Sequence, residues 1–374
     1  MRLPTVTPGF GVDGLDARYY GRELWRRLRH YARIRALGYP NRGSLSDAAE
    51  SILAARAESG FASGGHFRGV WPRDLCFAAA GFRAAGYVGA LRAAGGGLAE
   101  ILLAGDVFYT DVHDGDAAAA PAEGVDTFPA LVILLARCDG LTERAEAIAT
   151  LARRHRRRFF DDDLALVTGS GSSWWDSAAA PRETYNTAML LAAIERLDDA
   201  GIETPYAGLA DEVRDGMLTH LWSSGRFLEH RASSTLGCDA NVVPLYFELI
   251  DRDRARSIVD AVERLATPNG LRLRARPFAR SDVRPHFLLH RDYHYHVWPW
   301  NSYMYVNGAR GYGFDEAARQ ERERVDAAQR EYGTFLEVIA LDGTPYVKRG
   351  YASASDFTVA AALWTEARER RRSG

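Results

Sequence analysis

Lysine is almost absent from this sequence of 374 residues. Of its 47 basic residues only Lys348 is a lysine, and the other 46 are arginines. This scarcity excludes a lysine-containing phosphate-binding loop and leaves one position for a lysine Schiff base. The three cysteines, Cys76, Cys138 and Cys238, lie far apart and form no CxxC pair. Neither a zinc knuckle nor a disulfide framework is therefore expected.

Long apolar runs and an excess of one charge are also missing. No stretch of about 18 uncharged apolar residues occurs, and the first residues lack the apolar run of a signal peptide. We therefore expect a cytoplasmic protein without a membrane span. The formal net charge of −2 gives no electrostatic reason to expect nucleic acid or an anionic membrane as a partner.

Apolar residues recur at helical spacing along most of the chain. The pattern predicts helices at residues 15–35, 47–57, 74–86, 89–104, 124–138, 142–158, 183–200, 205–221, 239–250, 252–266, 300–310, 315–331 and 355–370. Extended segments are few and short, at residues 225–229, 334–339 and 344–347. No alternation of strands and helices is visible. The sequence therefore predicts a mostly α-helical protein.

Aromatic and charged segments precede the more apolar helix of each successive helix pair. There are six of them, at residues 69–74, 108–115, 171–177, 234–241, 293–301 and 347–356. The helices that follow start about 55 residues apart, a period that indicates a helical repeat. Six pairs of one outer and one inner helix would close an all-α (α/α)6 toroid with a few short β segments in its rim loops. The inner helices would then begin on one face, where we expect the site.

No linker rich in Pro, Gly or Ser divides the chain. We therefore expect a single domain over residues 1–374, with the first helices in residues 1–60.

The six segments hold five of the eight tryptophans, at positions 71, 174, 175, 298 and 300. Aromatic faces beside Asp, Arg and His side chains suit a carbohydrate, because a sugar stacks its C–H face on the ring and offers hydroxyls at its edge. The alternative is that these tryptophans only fill the mouth of the ring.

Three carboxylates are candidates for a role in such a site. Asp74, with Arg73, is suited to bind vicinal hydroxyls, although it also stands where a helix cap is expected. Asp176 follows two tryptophans, and a carboxyl group against indole rings has a raised pKa, which suits a general acid. Glu337 lies in the apolar stretch FLEVIALDG, where a charge needs a partner or a function, so it is a candidate general base.

The histidines at 286, 290, 294 and 296 have a spacing compatible with metal ligands. However, this region is predicted to be irregular and aromatic, and no cysteine cluster accompanies it. We therefore expect no metal and no cofactor. His296, which is close to Trp298 in the sequence, is interpreted as a partner for a sugar hydroxyl.

Five motifs, in the correct order, resemble those of (α/α)6 glycoside hydrolases such as glycogen-debranching amylo-1,6-glucosidases, processing α-glucosidases and bacterial glucoamylases. They are GVWPRDLCFAAAGF, SSWWDSAAAPRETYNTAMLLAAIERL, DANVVPLYFELIDRDRARSIVDAVERLATPNGLR, YHYHVWPWNSYMYVNGARGYG and FLEVIALDGTPYVKRGYASASDFTVAAALW, and they span about residues 60–366. The resemblance implies a six-hairpin glycosidase fold and an exo-acting, inverting α-glucosidase. The implied partner is a small glucoside or a short oligosaccharide.

The resemblance also implies roles for individual positions. Asp176 matches the general acid, and Glu337 matches the general base. The substrate-binding positions would be Trp71, Arg73, Asp74, Trp174, Trp175, Arg182, Asn186, Asp239, His296, Trp298 and Trp300.

Two other functions stay open. An (α/α)6 sugar epimerase or isomerase of the N-acylglucosamine type would use histidines as acid and base, and the histidines at 286–296 favour it. A non-catalytic relative would bind sugar without turnover.

Lys348 and Arg349 follow the proposed base along the chain. They either form salt bridges at the rim or bind an anionic part of the substrate, such as a glycerate carboxylate.

Overall fold

The computed structural model describes residues 6–7, 17–113, 116–119, 122–169 and 177–369. Within these ranges the chain is dominated by thirteen α-helices, and its strands are only two or three residues long. Every predicted helix is present, with both ends within five residues of the prediction. None of the helices in the described ranges is long and apolar enough to cross a membrane.

The helices are labelled in chain order. Helices α1 to α13 span Ala17–Leu37, Leu45–Ser59, Pro72–Ala84, Val88–Ala104, Thr127–Arg137, Ala145–Phe159, Glu183–Asp199, Ala210–His220, Asp239–Tyr246, Arg252–Val262, Pro299–Gly311, Asp315–Tyr332 and Thr358–Glu369.

The strands β1 to β11 span Val6–Thr7, Asp111–His113, Asp116–Ala118, Phe160–Asp161, Leu166–Val167, Trp222–Ser223, Arg226–Phe227, Ala266–Thr267, Gly270–Leu271, Val347–Lys348 and Tyr351–Ala352. Strand β3 pairs with β1 in parallel and with β2 in antiparallel orientation. The other eight form four short antiparallel hairpins between consecutive strands.

Six helices form a closed inner ring. Each of α3, α5, α7, α9, α11 and α13 contacts the next, and α13 returns to contact α3. The outer helices α2, α4, α6, α8, α10 and α12 pack around them. Inner helices are buried on nearly all sides, as α5 shows with nine consecutive buried residues, whereas α12 buries one stripe. The predicted (α/α)6 toroid is confirmed.

Single β-bridges join neighbouring loops on one face of the ring. They pair Val70 with Val112, Ala178 with Val283, Gly237 with Arg274, and Val297 with both Arg272 and Ile339. These loops are the ones that precede the inner helices, because outer and inner helices alternate along the chain. We call them the first to sixth rim loops, in chain order, and they lead into α3, α5, α7, α9, α11 and α13. The expected gathering of the loops at one rim is therefore observed.

Helix α1 lies outside the six helix pairs. It packs against β11, and His30 Nε2 lies 3.1 Å from the carbonyl oxygen of Ser353. Because β11 belongs to the last rim loop, α1 covers part of that rim and presents side chains to it.

Two local expectations were wrong. Residues 334–339 are not a strand: Ile339 forms only single bridges, and the Gln329 side chain accepts a hydrogen bond from the Leu336 amide at 2.9 Å. Asp74 is not the helix cap, because α3 begins at Pro72 and the cap residue is Trp71. Ion pairing and a hydroxyl contact account for the Asp74 carboxylate instead, as described below.

The contact that closes the ring depends on Gly81 of α3. A Cβ atom at this position would lie 2.1 Å from the carbonyl oxygen of Ala362 in α13. We expect Gly81→Ala to lower the free energy of unfolding by about 1–3 kcal/mol, because the two backbones would have to separate.

The matched control is Gly97→Ala in α4, where a Cβ would meet no heavy atom within 4 Å. Alanine should stabilise that helix by about 0.5–1 kcal/mol. Urea unfolding of both variants measures the difference. Equal stabilities would contradict the close approach of α3 and α13.

Candidate active site

A pocket opens at the rim where the inner helices begin. It encloses about 490 Å³ of space between atoms, including the open solvent at its mouth. The first and last rim loops, the fifth rim loop and α1 all contribute side chains. The lining residues are Arg27, Phe67, Trp71, Arg73, Asp74, Phe287, Tyr293, Trp298, Trp300, Glu337, Tyr351 and Phe357.

Six predicted site residues meet in this pocket, from segments far apart in the sequence. They are Trp71, Arg73, Asp74, Trp298, Trp300 and the candidate base Glu337. Closure of the ring brings them together, because Trp71, Arg73 and Asp74 lie where the first rim loop enters α3, whereas Glu337 lies in the last rim loop.

One side of the pocket carries a buried ion pair in the first turn of α3. Arg73 Nε donates to Asp74 Oδ1 at 2.7 Å, and the other carboxylate oxygen accepts from the Ser63 hydroxyl at 2.5 Å. Burial lowers the pKa of Arg73, but Asp74, together with Tyr185 and Asp126, outweighs burial, and the pKa is raised. The Arg73 guanidinium therefore stays charged, and the two side chains together present donors and acceptors to a ligand.

Aromatic rings surround this ion pair. The Arg73 guanidinium carbon lies 5.5 Å from the ring centroid of Trp71 and 5.8 Å from that of Trp300, within the range of a cation–π interaction. Trp298 lies 5.9 Å from Trp300. A charged group framed by flat apolar faces matches a sugar, which offers hydroxyls at its edge and C–H bonds on its face.

Glu337 is 2% exposed and is held by three donors. Tyr293 donates to Oε1, and Tyr351 donates to Oε2 at 2.6 Å. The amide of Ala354 also donates to Oε2, at 3.1 Å. Burial raises the pKa of Glu337, and the hydrogen bonds from the two tyrosines oppose part of that rise. The result is a carboxylate of increased basicity at the pocket wall.

Arg27 brings a second cation into the pocket from α1. Its guanidinium carbon lies 5.8 Å from the ring of Phe287 and 5.9 Å from that of Tyr351. Its positive charge favours the ionised form of Glu337 and so opposes part of the rise in pKa that burial causes. Sequence reasoning missed Arg27, because one arginine in an arginine-rich helix before the repeats carries no local signal. It also missed Tyr293 and Tyr351, although both lie in segments that it had marked as rim loops.

Arg182 does not line the pocket but joins a buried ion network. Its Nη1 lies 2.9 Å from Glu229 Oε1, and Arg274 donates to both oxygens of Glu229 at 2.7 and 2.8 Å. Burial raises the pKa of Glu229, but the two arginines outweigh it and bring the pKa to about 2. The network joins the loop before α7 to the loops on either side of α9 and α10.

Three other predicted substrate-binding residues also lie outside the pocket lining. Asn186 and Asp239 are buried in the first turns of α7 and α9. His296 Nε2 lies 3.7 Å from Asp292 Oδ2, and its ring centroid lies 4.9 Å from that of Tyr346. A direct contact of these three residues with the substrate stays a prediction.

Lys348 forms a salt bridge at the rim, one of the two arrangements expected for it. Its Nζ lies 2.7 Å from Asp292 Oδ2. Partial burial raises the pKa of Asp292, but the nearby His296 and the hydrogen-bonded Lys348 outweigh burial, and the pKa is lowered. Arg349 is exposed in the two-residue turn between β10 and β11. The φ angles of Arg349 and Gly350 are 46° and 83°, as a type I′ turn requires.

The candidate general acid falls outside the described residues. Trp174, Trp175 and Asp176 belong to residues 170–176, about which the structure makes no statement. Their proposed roles stay predictions from the sequence.

The histidine cluster does not form a metal site in the part of the chain that the structure describes. His294 Nδ1 lies 2.7 Å from the Ser177 hydroxyl, and its ring stacks on Trp298 at 5.0 Å. Across the described residues, no three His, Cys, Asp or Glu side chains come together as metal ligands. The side chain of His286 is outside the described set.

Comparison with known proteins relates the fold to solved structures. The chain matches a glycosidase Glu-to-Ala variant in complex with glucose at a TM-score of 0.64 and 15% identity, over 95% of this chain and 98% of the other. A rhamnosidase from Klebsiella oxytoca with rhamnose bound matches at 0.60 and 14%, over 91% and 67%. A bacterial glucoamylase complexed with acarbose matches at 0.63 and 13%, over 86% and 54%.

These similarities show the fold. The ring of this chain has the same (α/α)6 fold as the rings of these glycosidases, as the sequence motifs implied. No family model and no curated protein matches the chain.

The buried network around Glu229 yields a stability prediction. Glu229→Gln would remove the carboxylate that Arg182 and Arg274 share, so we expect it to lower the free energy of unfolding by about 3–5 kcal/mol. The folded-state pKa of about 2 lies below the ordinary value of 4.5. The stabilisation by Glu229 is therefore present above pH 4.5 and is lost as the pH falls towards 2.

Unfolding by denaturant at several pH values measures this effect. The matched control is Glu316→Gln, which removes the carboxylate of an exposed pair with Arg319 and should change stability little. If the two variants were equally stable, the network would not support the rim in the way described.

Proposed function

We propose that the protein is a glycoside hydrolase that cleaves a small α-glucoside or a short oligosaccharide at its end, with inversion. One observation carries the proposal. A buried carboxylate, Glu337, faces a pocket that also holds a charged Arg73–Asp74 pair framed by tryptophans, at the rim of a glycosidase-type ring. The chemistry needs such a combination of a base, polar anchors and flat apolar walls.

The ion pair is suited to hold the terminal sugar. Asp74 supplies acceptor oxygens and Arg73 supplies donors in a fixed plane, so adjacent hydroxyls of one ring can bind both. Trp71 and Trp300 keep the guanidinium in place and exclude water from it. Both charged residues are more than 90% buried, which strengthens their hydrogen bonds to a ligand.

Glu337 is suited to activate the attacking water. General base catalysis is efficient when the pKa of the base is raised towards the working pH while the base is still ionised. Burial raises the pKa of Glu337, and Tyr293, Tyr351 and Arg27 limit that rise. Support for the role thus comes from its surroundings as well as from its sequence motif.

Asp176 is proposed as the general acid on the sequence motif alone. In inverting enzymes the two carboxyl groups are about 6.5–9.5 Å apart, which leaves room for the water. Asp176 would protonate the glycosidic oxygen while Glu337 takes a proton from water on the opposite face of the sugar.

The lining of the pocket supports the histidine-based epimerase hypothesis less than it supports a glycoside hydrolase. The lining residues in the described part of the chain include no histidine, and His294 is already engaged with Ser177 and Trp298. The proposed partner is therefore a small carbohydrate that loses a terminal sugar. On the sequence alone, the proposed compartment is the cytoplasm.

A substrate screen combined with two substitutions tests the function. Incubation with p-nitrophenyl glycosides, maltose, trehalose, isomaltose and glycosylglycerates should release a free monosaccharide from one of them. Asp176→Asn and Glu337→Gln should each lower kcat by about 1,000-fold or more without loss of folding, because each removes an acid or base that the reaction requires.

The matched control is Glu321→Gln, which changes a buried glutamate outside the pocket. Burial raises the pKa of Glu321 to about 7, so an uncharged isostere should be tolerated and activity retained. Near-normal turnover by the Glu337 variant would remove that residue from the mechanism. Interconversion of free sugars would favour the epimerase, and binding without turnover would favour a sugar-binding protein.

A further inference from the structure

The acceptor positions of Glu337 are unequally occupied. A carboxylate oxygen has two lone pairs in its plane. Oε2 accepts from both the Tyr351 hydroxyl and the Ala354 amide, so both of its positions are filled. In the described part of the chain, Oε1 accepts from the Tyr293 hydroxyl alone. One acceptor position therefore remains, and it belongs to Oε1.

The two tyrosine hydroxyls also contact each other, at 2.9 Å. Three contacts thus join the hydroxyls of Tyr293 and Tyr351 with the carboxylate of Glu337, but the two hydroxyls carry only two protons. While Glu337 is ionised, both protons are drawn to the carboxylate, because hydrogen bonds to a charged acceptor are the stronger ones. The contact between the two hydroxyl oxygens is then left without a proton.

We propose that Tyr293 and Tyr351 are positioning residues that assign proton uptake to Oε1 of Glu337, with the Tyr293 hydroxyl turning from Glu337 to Tyr351 when that proton arrives. This inference rests on the proposed function, because it describes how the base of that reaction works. Its basis is the count of donors and acceptors in a buried cluster whose members line the pocket.

The step balances as follows. The water oxygen forms a bond to the anomeric carbon, and the bond from that carbon to the leaving oxygen breaks. The electron pair of the broken bond stays on the leaving oxygen, which takes the proton of Asp176. One water proton passes to the open position of Glu337 Oε1, the oxygen that accepts from Tyr293.

Proton uptake makes Oε1 a weaker acceptor, so the Tyr293 proton is free to turn to the Tyr351 oxygen. Tyr351 continues to donate to Oε2. Every hydroxyl proton then has an acceptor in both charge states of Glu337. Tyr293 thus stabilises the ionised base directly, whereas Tyr351 donates in either state.

In the described part of the chain, the charged and titratable groups that face Glu337 come from α1, the segment after it, the fifth and sixth rim loops and, across the pocket, the start of α3: Arg27, Tyr39, Tyr293, Tyr351, Arg73 and Asp74. The two tyrosines are in turn packed against His66, His290, His294 and Tyr346. Removing one tyrosine hydroxyl leaves the other charges in place, so a change in the titration of Glu337 reports on that hydroxyl.

Tyr293→Phe and Tyr351→Phe test the proposal. Loss of the Tyr293 hydroxyl removes a donor from the ionised form only, so the pKa of Glu337 should rise by about one pH unit. Tyr351→Phe should give a smaller rise. The acid limb of the pH dependence of kcat/KM should move to higher pH in the same order, because the protonated base is inactive.

Infrared difference titration of the Glu337 carboxyl gives a readout that does not depend on turnover, with the Glu337→Gln variant as the spectral reference. The matched control is Tyr346→Phe. Tyr346 packs its ring against the same two tyrosines but bonds Asp292 instead of Glu337. In Tyr346→Phe, the acid limb of the pH dependence of kcat/KM and the titration of Glu337 should stay as in the native protein.

The outcomes separate the two claims. Shifted titrations without hydrolysis of any glycoside would support the tyrosine arrangement and contradict the proposed function. Hydrolysis with an unshifted Glu337 titration in Tyr293→Phe, or with an equal shift in Tyr346→Phe, would overturn the arrangement. If Tyr293→Phe does not fold, a Glu337 pKa in Tyr351→Phe that stays at its native value would overturn it as well.

Discussion

The contact between the first and the last inner helix is the constraint on which the site depends. Gly81 lets the backbone of α3 approach Ala362 of α13 closely, and this contact closes a ring that would otherwise be an open row of helix pairs. Closure sets the first rim loop beside the last. Arg73 and Asp74 therefore share a pocket with Glu337 and Tyr351, although the two groups come from opposite ends of the repeat region.

The rim then has to accommodate buried charges, and it does so by pairing. An uncompensated buried charge is strongly destabilising. Arg73 is paired with Asp74, and Glu229 with Arg182 and Arg274. Glu337 differs from these two clusters, since neutral donors hold it and no cation is paired with it at hydrogen-bond distance among the described residues. A carboxylate held in this way keeps a raised pKa, which distinguishes Glu337 from Glu229, whose pKa the two arginines lower.

The sequence predicted the helices and the ring because hydrophobic periodicity and repeat spacing are properties of the chain itself. It predicted one half of the pocket, since Trp71, Arg73 and Trp300 lie in or beside recognisable helix starts. It did not identify Arg27, which reaches the pocket only because α1 packs outside the ring. Nor did it separate Arg182, a buried ion-pair partner, from residues that face the pocket, because both kinds occupy the same loops and only packing distinguishes them.

The central claim is that Glu337 activates a water molecule and does not attack the sugar itself. The stereochemistry of the released sugar tests this most directly. Proton NMR recorded in the first minutes of hydrolysis of an α-glucoside, before mutarotation, should show the β-anomer as the initial product. Initial release of the α-anomer would show net retention and would contradict the account.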